Sequence, residues 1–177
     1  DRFERIYLSF SAGKDSTVML HLVMDEAIKR GRKVGCFFID LECQIGSTIE
    51  FAKQMYALYA DHIEPYWVAL PIKPWNACSQ FEPEWTEWDP AQRDLWVRQP
   101  DAMSITDPTA FPFYYEGMPF EEFVPLFGQW YSQGKLCACF VGIRADESLN
   151  RFRTVARANK DKLDGLAYTT NCIDDVW

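Results

Sequence analysis

The sequence predicts an α/β protein with a doubly wound, mostly parallel sheet, and three observations lead to that fold class. Apolar runs alternate with amphipathic helical patterns along the first part of the chain. The run Val34–Ile39 is continuously apolar, which is typical of a strand buried on both faces of a parallel sheet. Polar segments follow the predicted strands, at the edge where such sheets bind ligands.

The same alternation assigns the individual elements. Predicted strands cover residues 6–10, 34–39, 65–70 and 136–141, and predicted helices cover about 16–29 and 121–131. Another helix is expected to begin at a capping box, residues 47–50, and to carry an apolar stripe from Ala52 to Tyr59. Because strand–helix–strand connections are right-handed, we expect helices on both faces of the sheet.

Residues 71–120 break this rhythm. They contain four tryptophans and eight prolines, so they are too apolar for a disordered linker and too rich in proline for a long helix. We expect an ordered insertion, packed on the sheet edge or over a ligand cleft, within one domain that spans residues 1–177.

Charge and hydropathy narrow the functional classes. The net charge of −8 argues against a protein whose main task is to grip naked nucleic acid. Residues 144–162, however, hold six cationic side chains against three acidic ones, a small basic face that suits a polyphosphate ligand. No apolar run approaches the roughly 20 residues of a membrane span, so we expect a cytoplasmic protein that does not enter a membrane.

Six cysteines raise the question of a metal site. No Cys-x-x-Cys spacing occurs, so a zinc site is not expected. Cys137 and Cys139 lie in a predicted strand, and we expect their side chains on opposite faces of the sheet. An iron–sulfur cluster built from Cys78, Cys137 or Cys139, and Cys172 stays open as an alternative.

The most informative motif is the loop Ser11–Ser16, between the first strand and the first helix. Gly13 allows a close backbone approach, Ser11 and Ser16 offer hydroxyls, and the helix N-terminus favours an anion. The loop is not a Walker A motif, because Asp15 follows Lys14 and the required first glycine is missing. Ordinary serine capping of a helix is the simpler alternative.

A second motif, residues 142–151, follows the fourth predicted strand. Carboxyl ends of parallel strands share one sheet edge, so this motif, the loop Ser11–Ser16 and Asp40 are expected to converge. Arg144 and Arg151 would neutralise phosphates, and Glu147 would orient one of these arginines. Either Asp15 or Asp40 would contact Mg²⁺ or ribose, although Asp40 is nearly as well explained as a strand-end cap.

The loop resembles the PP-loop of N-type ATP pyrophosphatases, Ser-Gly-Gly-x-Asp-Ser, with Ala12 in place of the middle glycine. With residues 38–42, the tract Leu95-Trp96-Val97-Arg98 and residues 141–151, nearly the whole chain resembles the phosphoadenosine phosphosulfate reductase family. That resemblance implies a Rossmann-like fold of the adenine nucleotide α-hydrolase superfamily and an adenine nucleotide ligand.

The resemblance also bears on chemistry. True sulfonucleotide reductases carry a Glu-Cys-Gly-Leu-His tail, and this sequence does not contain one. The missing tail argues against a reductase, unless the sequence is truncated before it. Within the family, the chain resembles the reductase-like branch that is often encoded beside ParB-like nuclease partners. Relatives in DNA phosphorothioation systems use ATP. The resemblance therefore implies an ATP pyrophosphatase of DNA sulfur modification, with DNA presented by partner proteins or met by the small basic face.

The site residues implied by that resemblance fall into two groups. The catalytic group, which stabilises phosphate charge, is Lys14, Arg144 and Arg151. The nucleotide-binding set consists of the loop residues Ser11, Ala12, Gly13, Lys14, Asp15 and Ser16 together with Asp40, Arg144 and Glu147. Asp15 is the expected Mg²⁺ ligand. Two alternatives stay open: a sulfonucleotide reductase, and a nucleotide-binding subunit without turnover, which Ala12 favours.

Overall fold

Five parallel strands form one sheet in the order β3-β2-β1-β4-β5. The computed structural model describes residues 3–76, 80–142 and 149, and the backbone of residues 172–176. The strands are β1 (Arg5–Ser9), β2 (Val34–Ile39), β3 (Ile63–Val68), β4 (Cys137–Val141) and β5 (Cys172–Val176). The order reverses direction between β1 and β4, as in a doubly wound fold.

In the described part of the chain, three α-helices flank the sheet, namely α1 (Lys14–Lys29), α2 (Gly46–Leu58) and α3 (Phe120–Ser132). Strands and helices alternate as predicted, so the α/β fold class is confirmed. Helix α1 starts earlier than predicted, because the carbonyl of Gly13 already accepts the N–H of Thr17 at 3.0 Å. The predicted capping box is wrong: α2 begins at Gly46, Ile45 is its N-cap, and no side chain of the described residues caps it.

The sheet is covered on both faces. Helices α1 and α2 pack on one face around Leu8 and Phe38, and α3 packs on the other around Tyr7 and Phe37. This alternation of neighbouring residues follows from the period of two along a strand. The hydroxyl of Tyr131 in α3 ties two strands together, because it accepts the N–H of Gly35 (3.2 Å) and donates to the carbonyl of Ile6 (2.8 Å).

The cysteines of β4 correct one expectation. Cys137 and Cys139 are buried in the same cluster, on the α3 face, and not on opposite faces. Residues two apart in a strand point to the same side, so the prediction was wrong on geometry. Both side chains pack as small apolar groups, as does Cys36 on the opposite face.

The insertion contacts both the end of β3 and the core on the α3 face. Its segment around Ile105 runs beside the end of β3, where Ala69 and Ile105 donate backbone hydrogen bonds of 3.1 and 2.7 Å. Its residues Phe111 and Met118 join the core on the α3 face. Two short 3₁₀ helices, Pro90–Leu95 and Pro108–Ala110, supply the regular structure assigned within it.

None of the helices in the described part of the chain is long and apolar enough to cross a membrane.

Candidate functional site

The loop Ser11–Ser16 and Gly142 meet at the point where the strand order reverses. The loop follows β1, and Gly142 follows β4, which pairs with β1 from Arg5↔Cys137 to Ser9↔Val141. In open α/β sheets this crevice, beyond the carboxyl ends of the central strands, is where ligands bind.

Packing at Gly142 joins the two motifs. A Cβ atom at Gly142 would lie 2.8 Å from both the Cα and the N of Ser16, and 3.0 Å from the carbonyl carbon of Asp15. Only a residue without a side chain fits against the first turn of α1 here. The end of β4 and the start of α1 are therefore in direct backbone contact.

The loop is held by its own serines. The Ser16 hydroxyl donates to the carbonyl of Gly13 (3.0 Å) and accepts the N–H of Ser11 (3.3 Å). The two serine hydroxyls also lie 3.0 Å apart. Because Ser16 is buried and its hydroxyl is occupied within the loop, it shapes the cradle, whereas Ser11 is exposed at its rim.

Ala12 adopts a backbone conformation that favours glycine. Its φ is 58°, in the left-handed region. A residue with a Cβ pays roughly 1–2 kcal/mol for this conformation. The loop therefore keeps a glycine-like backbone in spite of the methyl group, and such strain is typical of functional loops.

The first turn of α1 carries the charges of the loop. Gly13 is the N-cap, and within the described residues no side chain caps the helix, which leaves its positive end facing the cleft. Lys14 is 71% exposed, and its Nζ lies 2.5 Å from Oδ2 of Asp15. This exposed ion pair is weak and can rearrange when a ligand arrives.

Asp40, in contrast, is fully buried just after β2. Its oxygens accept from both terminal nitrogens of Arg98 (3.0 Å from Nη1), from the indole of Trp67 (3.1 Å) and from the N–H of Glu42 (3.1 Å). Arg98 also stacks over Trp88, with 5.1 Å from its Cζ to the ring centre. Asp40 thus holds the insertion in place, and its predicted contact with a nucleotide stays a prediction.

Glu42 forms the second half of this junction. Its carboxylate accepts the N–H groups of Trp88 (2.7 Å) and Val97 (3.3 Å), and its own φ is 49°. The indole of Trp88 donates to the carbonyl of Asp40 at 2.7 Å. Asp40 and Glu42, which both follow β2, therefore fix two separate stretches of the insertion against the carboxyl edge of the sheet.

Glu87 is a buried acid beside that junction. Its side chain is fully buried, and neither carboxyl oxygen has a hydrogen-bond partner among the residues that the structure describes. Burial, reinforced by the charges of Asp40 and Glu42, raises the pKa of Glu87 to about 9. Glu87 therefore keeps its proton at neutral pH.

The structure brings Ser11, Ala12, Gly13, Lys14, Asp15 and Ser16 together at one sheet edge, beside Gly142. The predicted residues Arg144, Glu147 and Arg151 lie outside the described residues. Arg98 belongs to the tract that carries the family resemblance, but it was not among the predicted site residues. Its signal in the sequence was a charge that follows three apolar residues, which does not reveal a partner 58 positions away.

Metal ligands are sparse in the described part of the chain. Within it, no group of three or more histidine, cysteine, aspartate or glutamate side chains could hold a metal ion. Cys137 and Cys139 are buried in the aromatic core, and Cys78 falls outside the described residues, so the iron–sulfur alternative stays a prediction.

Comparison with known proteins adds to this geometry. Residues 5–164 match the model of the phosphoadenosine phosphosulfate reductase domain. The chain is 48% identical over 168 residues to "Uncharacterized protein YbdN" of Escherichia coli (strain K12), an alignment that covers 94% of this chain and 41% of the relative. The chain thus spans about two fifths of that relative's length, and no solved structure matches it. From the matched span and the geometry together, the chain belongs to the phosphoadenosine phosphosulfate reductase domain family.

Proposed function

We propose that the protein is an ATP pyrophosphatase, which cleaves ATP to AMP and pyrophosphate in order to activate a substrate. The observation that carries the proposal is the backbone contact of Gly142 with Ser16 and Asp15. This contact brings the end of β4 beside the N-terminus of α1, and Arg144 follows Gly142 by two positions in the sequence. Phosphates at the cradle would meet helix N–H groups from one side and cations from the other.

The proposal assigns separate roles in phosphate binding and in charge stabilisation to the residues of the chain. N–H groups of the first turn of α1 and the hydroxyl of Ser11 would bind the β- and γ-phosphates. Lys14 would leave Asp15 for a phosphate oxygen, a small change because the existing pair is exposed. Arg144 and Arg151 are proposed to stabilise charge at the α-phosphate, where an acceptor oxygen attacks, the bond to the β-phosphate breaks and pyrophosphate leaves. AMP is released in a second step, when the sulfur donor, or water in its absence, displaces it from the adenylylated acceptor.

Mg²⁺ fits the loop chemically. Mg²⁺ is commonly held by one or two carboxylates together with substrate phosphates, and Asp15 presents one partly exposed carboxylate at the cradle. When bound, the ion would supply further neutralisation of phosphate charge. We assign Asp15 as the residue that would hold it.

The wider role is a proposal as well. We infer an adenylylation step in DNA phosphorothioation, with the DNA presented by partner proteins in the cytoplasm. The acidic net charge of −8 supports presentation by a partner over direct gripping of DNA. Two other functions compete with it: sulfonucleotide reduction, which the family name favours, and nucleotide binding without turnover, which the strained Ala12 favours.

Labelled nucleotides separate these functions. The protein is incubated with Mg²⁺ and ATP labelled at the α-phosphate, with and without DNA and a sulfur donor. The proposal expects AMP and pyrophosphate, with Lys14→Ala abolishing the signal. Lys29→Ala, which removes an exposed lysine at the far end of α1, is the matched control and keeps activity.

Assay outcomes other than AMP with pyrophosphate indicate a different function. ADP with orthophosphate contradicts the pyrophosphatase. Sulfite released from a sulfonucleotide with thioredoxin present establishes the reductase instead. Nucleotide binding that depends on Lys14, without turnover in either assay, supports the non-catalytic subunit.

A further inference from the structure

The tract Leu95–Arg98 has two faces of opposite character. Trp96 and Arg98 point inward: Trp96 packs edge-on against Trp88 with ring centres 5.3 Å apart, and Arg98 binds Asp40. Leu95 and Val97 point outward and are 75% and 69% exposed. The outward pair, which we term the Leu95–Val97 ridge, offers two large aliphatic groups to solvent.

The ridge is held rigidly. The N–H of Val97 donates to Glu42, and the indole of Trp96 donates to the carbonyl of Asp89 at 3.0 Å. Exposed aliphatic side chains on a fixed backbone lose little conformational entropy when a partner covers them. Ile45, also exposed, lies on the same carboxyl edge of the sheet, three residues beyond Glu42.

The charge around the ridge indicates what kind of partner fits. Residues 71–120 contain eight acidic side chains, of which Glu87 is buried and protonated, and three basic ones. One of these bases, Arg98, is already paired with Asp40, and another, Arg93, lies over the ring of Trp96. An acidic surface with apolar anchors complements a cationic surface with apolar side chains, and it repels a polyanion such as DNA.

We propose that the Leu95–Val97 ridge is the docking site of a basic partner protein on the insertion. The two side chains act as central anchors, and the acidic surroundings steer the partner, so the ridge supplies part of a larger interface. Docking at the carboxyl edge of β2 would bring the partner to the edge that carries the phosphate cradle. The docking itself is independent of the proposed pyrophosphatase activity.

Two synthetic amphipathic helical peptides test the proposal. They share one leucine face and differ in flanking charge, lysine and arginine in one and glutamate in the other. Fluorescence anisotropy is measured without nucleotide, so a failed turnover assay does not affect the outcome. We expect the basic peptide to bind, more weakly at high salt, and the acidic peptide not to bind.

Matched variants locate the binding. Leu95→Ser with Val97→Ser is expected to weaken binding of the basic peptide by about tenfold or more. Val18→Ser with Leu22→Ser, which changes exposed aliphatic residues on α1, is the control and leaves binding unchanged. Asp94→Asn is likewise expected to weaken binding more than Asp25→Asn, an equal charge change on α1.

Three results overturn the proposal. Both peptides bind equally well, or the ridge variant binds as tightly as the α1 control. In the third, the unmodified protein self-associates in light scattering and only the ridge variant is monomeric, which assigns the ridge to a second copy of the chain. Circular dichroism of each variant establishes that a loss of binding is not a loss of fold.

Discussion

Two acid–base pairs at the same sheet edge differ in almost every physical respect. Lys14 and Asp15 are sequence neighbours at an exposed helix end, and their ion pair is screened by water. Arg98 and Asp40 are 58 residues apart, and the aspartate is fully buried beneath the insertion. The first pair can exchange partners at little cost, whereas the second cannot be broken without stranding a buried charge.

The difference separates binding from architecture. Charges that must meet a ligand are kept exposed and weakly paired in the loop Ser11–Ser16. Charges that fix the insertion are largely buried and paired with each other around Asp40. A carboxylate at a strand end is therefore not by itself a ligand contact, and its burial indicates which of the two tasks it performs.

The largest expected effect comes from breaking the buried pair. Asp40→Asn leaves Arg98 with a neutral partner and is expected to lower the free energy of unfolding by about 3–5 kcal/mol. Asp15→Asn removes the exposed pair and should change it by no more than about 1 kcal/mol. Urea unfolding of the two variants measures both. Similar losses in the two variants would contradict the distinction between the regions.

The buried acid Glu87, beside the Asp40 junction, is expected to make the stability of the protein depend on pH. The pKa of Glu87 is about 9 in the folded protein, against 4.5 for an unperturbed glutamate, so the folded state holds a proton that the unfolded state releases. Stability from this group is complete below about pH 4.5 and falls by about 1.4 kcal/mol per pH unit up to about pH 9. Glu87→Gln should remove this loss. The free energy of unfolding of the variant, relative to that of the parent protein, should therefore be higher at about pH 8 than at about pH 5.

The control for this pH series is Glu84→Gln, since Glu84 is exposed in the same segment. It should follow the parent protein across the whole range. If Glu87→Gln also shows the parent's pH dependence, then Glu87 is not the buried acid that sets it.

Gly142 tests whether the loop depends on β4. Gly142→Ala places a methyl group 2.8 Å from the backbone of Ser16, and overpacking of this kind costs about 1–3 kcal/mol. We expect both a lower melting temperature and a weaker stabilisation by added ATP. Gly46→Ala is the matched control, because no described atom lies within 4 Å of a Cβ there. An ATP response equal in the two variants would show that the contact does not shape the cradle.

The smallest effect is expected at Ala12. Ala12→Gly relieves the left-handed strain but gives the unfolded chain more freedom, so stability should change by less than about 1 kcal/mol. Nucleotide binding should be retained or improved. Ala57→Gly, an exposed position in α2, provides the contrast, with a loss of about 1 kcal/mol and no effect on binding. Loss of binding in Ala12→Gly would mean that the methyl group itself contacts the ligand.

Features set by residues that are adjacent in sequence were predicted better than contacts between distant residues. Strand β2 lies at Val34–Ile39 as predicted, because a continuous apolar run has few alternatives. The loop Ser11–Ser16 was found because its strand, glycine and helix are adjacent in sequence. The start of α2 was missed, since serine at position 47 matched a capping pattern that the helix, capped at Ile45, does not use.

The buried junction could not be predicted because its partners are set by the three-dimensional fold. Nothing in the sequence joins Asp40 to Arg98 or Glu42 to Trp88 before β2 and the insertion are placed side by side. The structural role of Ser16, whose hydroxyl donates to the carbonyl of Gly13, could not be predicted either. A serine in a glycine-containing loop suits a phosphate ligand and an internal hydrogen bond equally well.

The carboxylate of Glu42 has a consequence for the order of folding. It accepts backbone N–H groups 46 and 55 positions further along the chain, and such distant contacts form slowly because a long loop must close first. The insertion is therefore expected to dock after β2 has paired with β1 and β3, whose partner residues lie 28 and 29 positions apart, and to separate before those pairs do. The amides of Trp88 and Val97 would then exchange hydrogen together, as one unit governed by a single side chain.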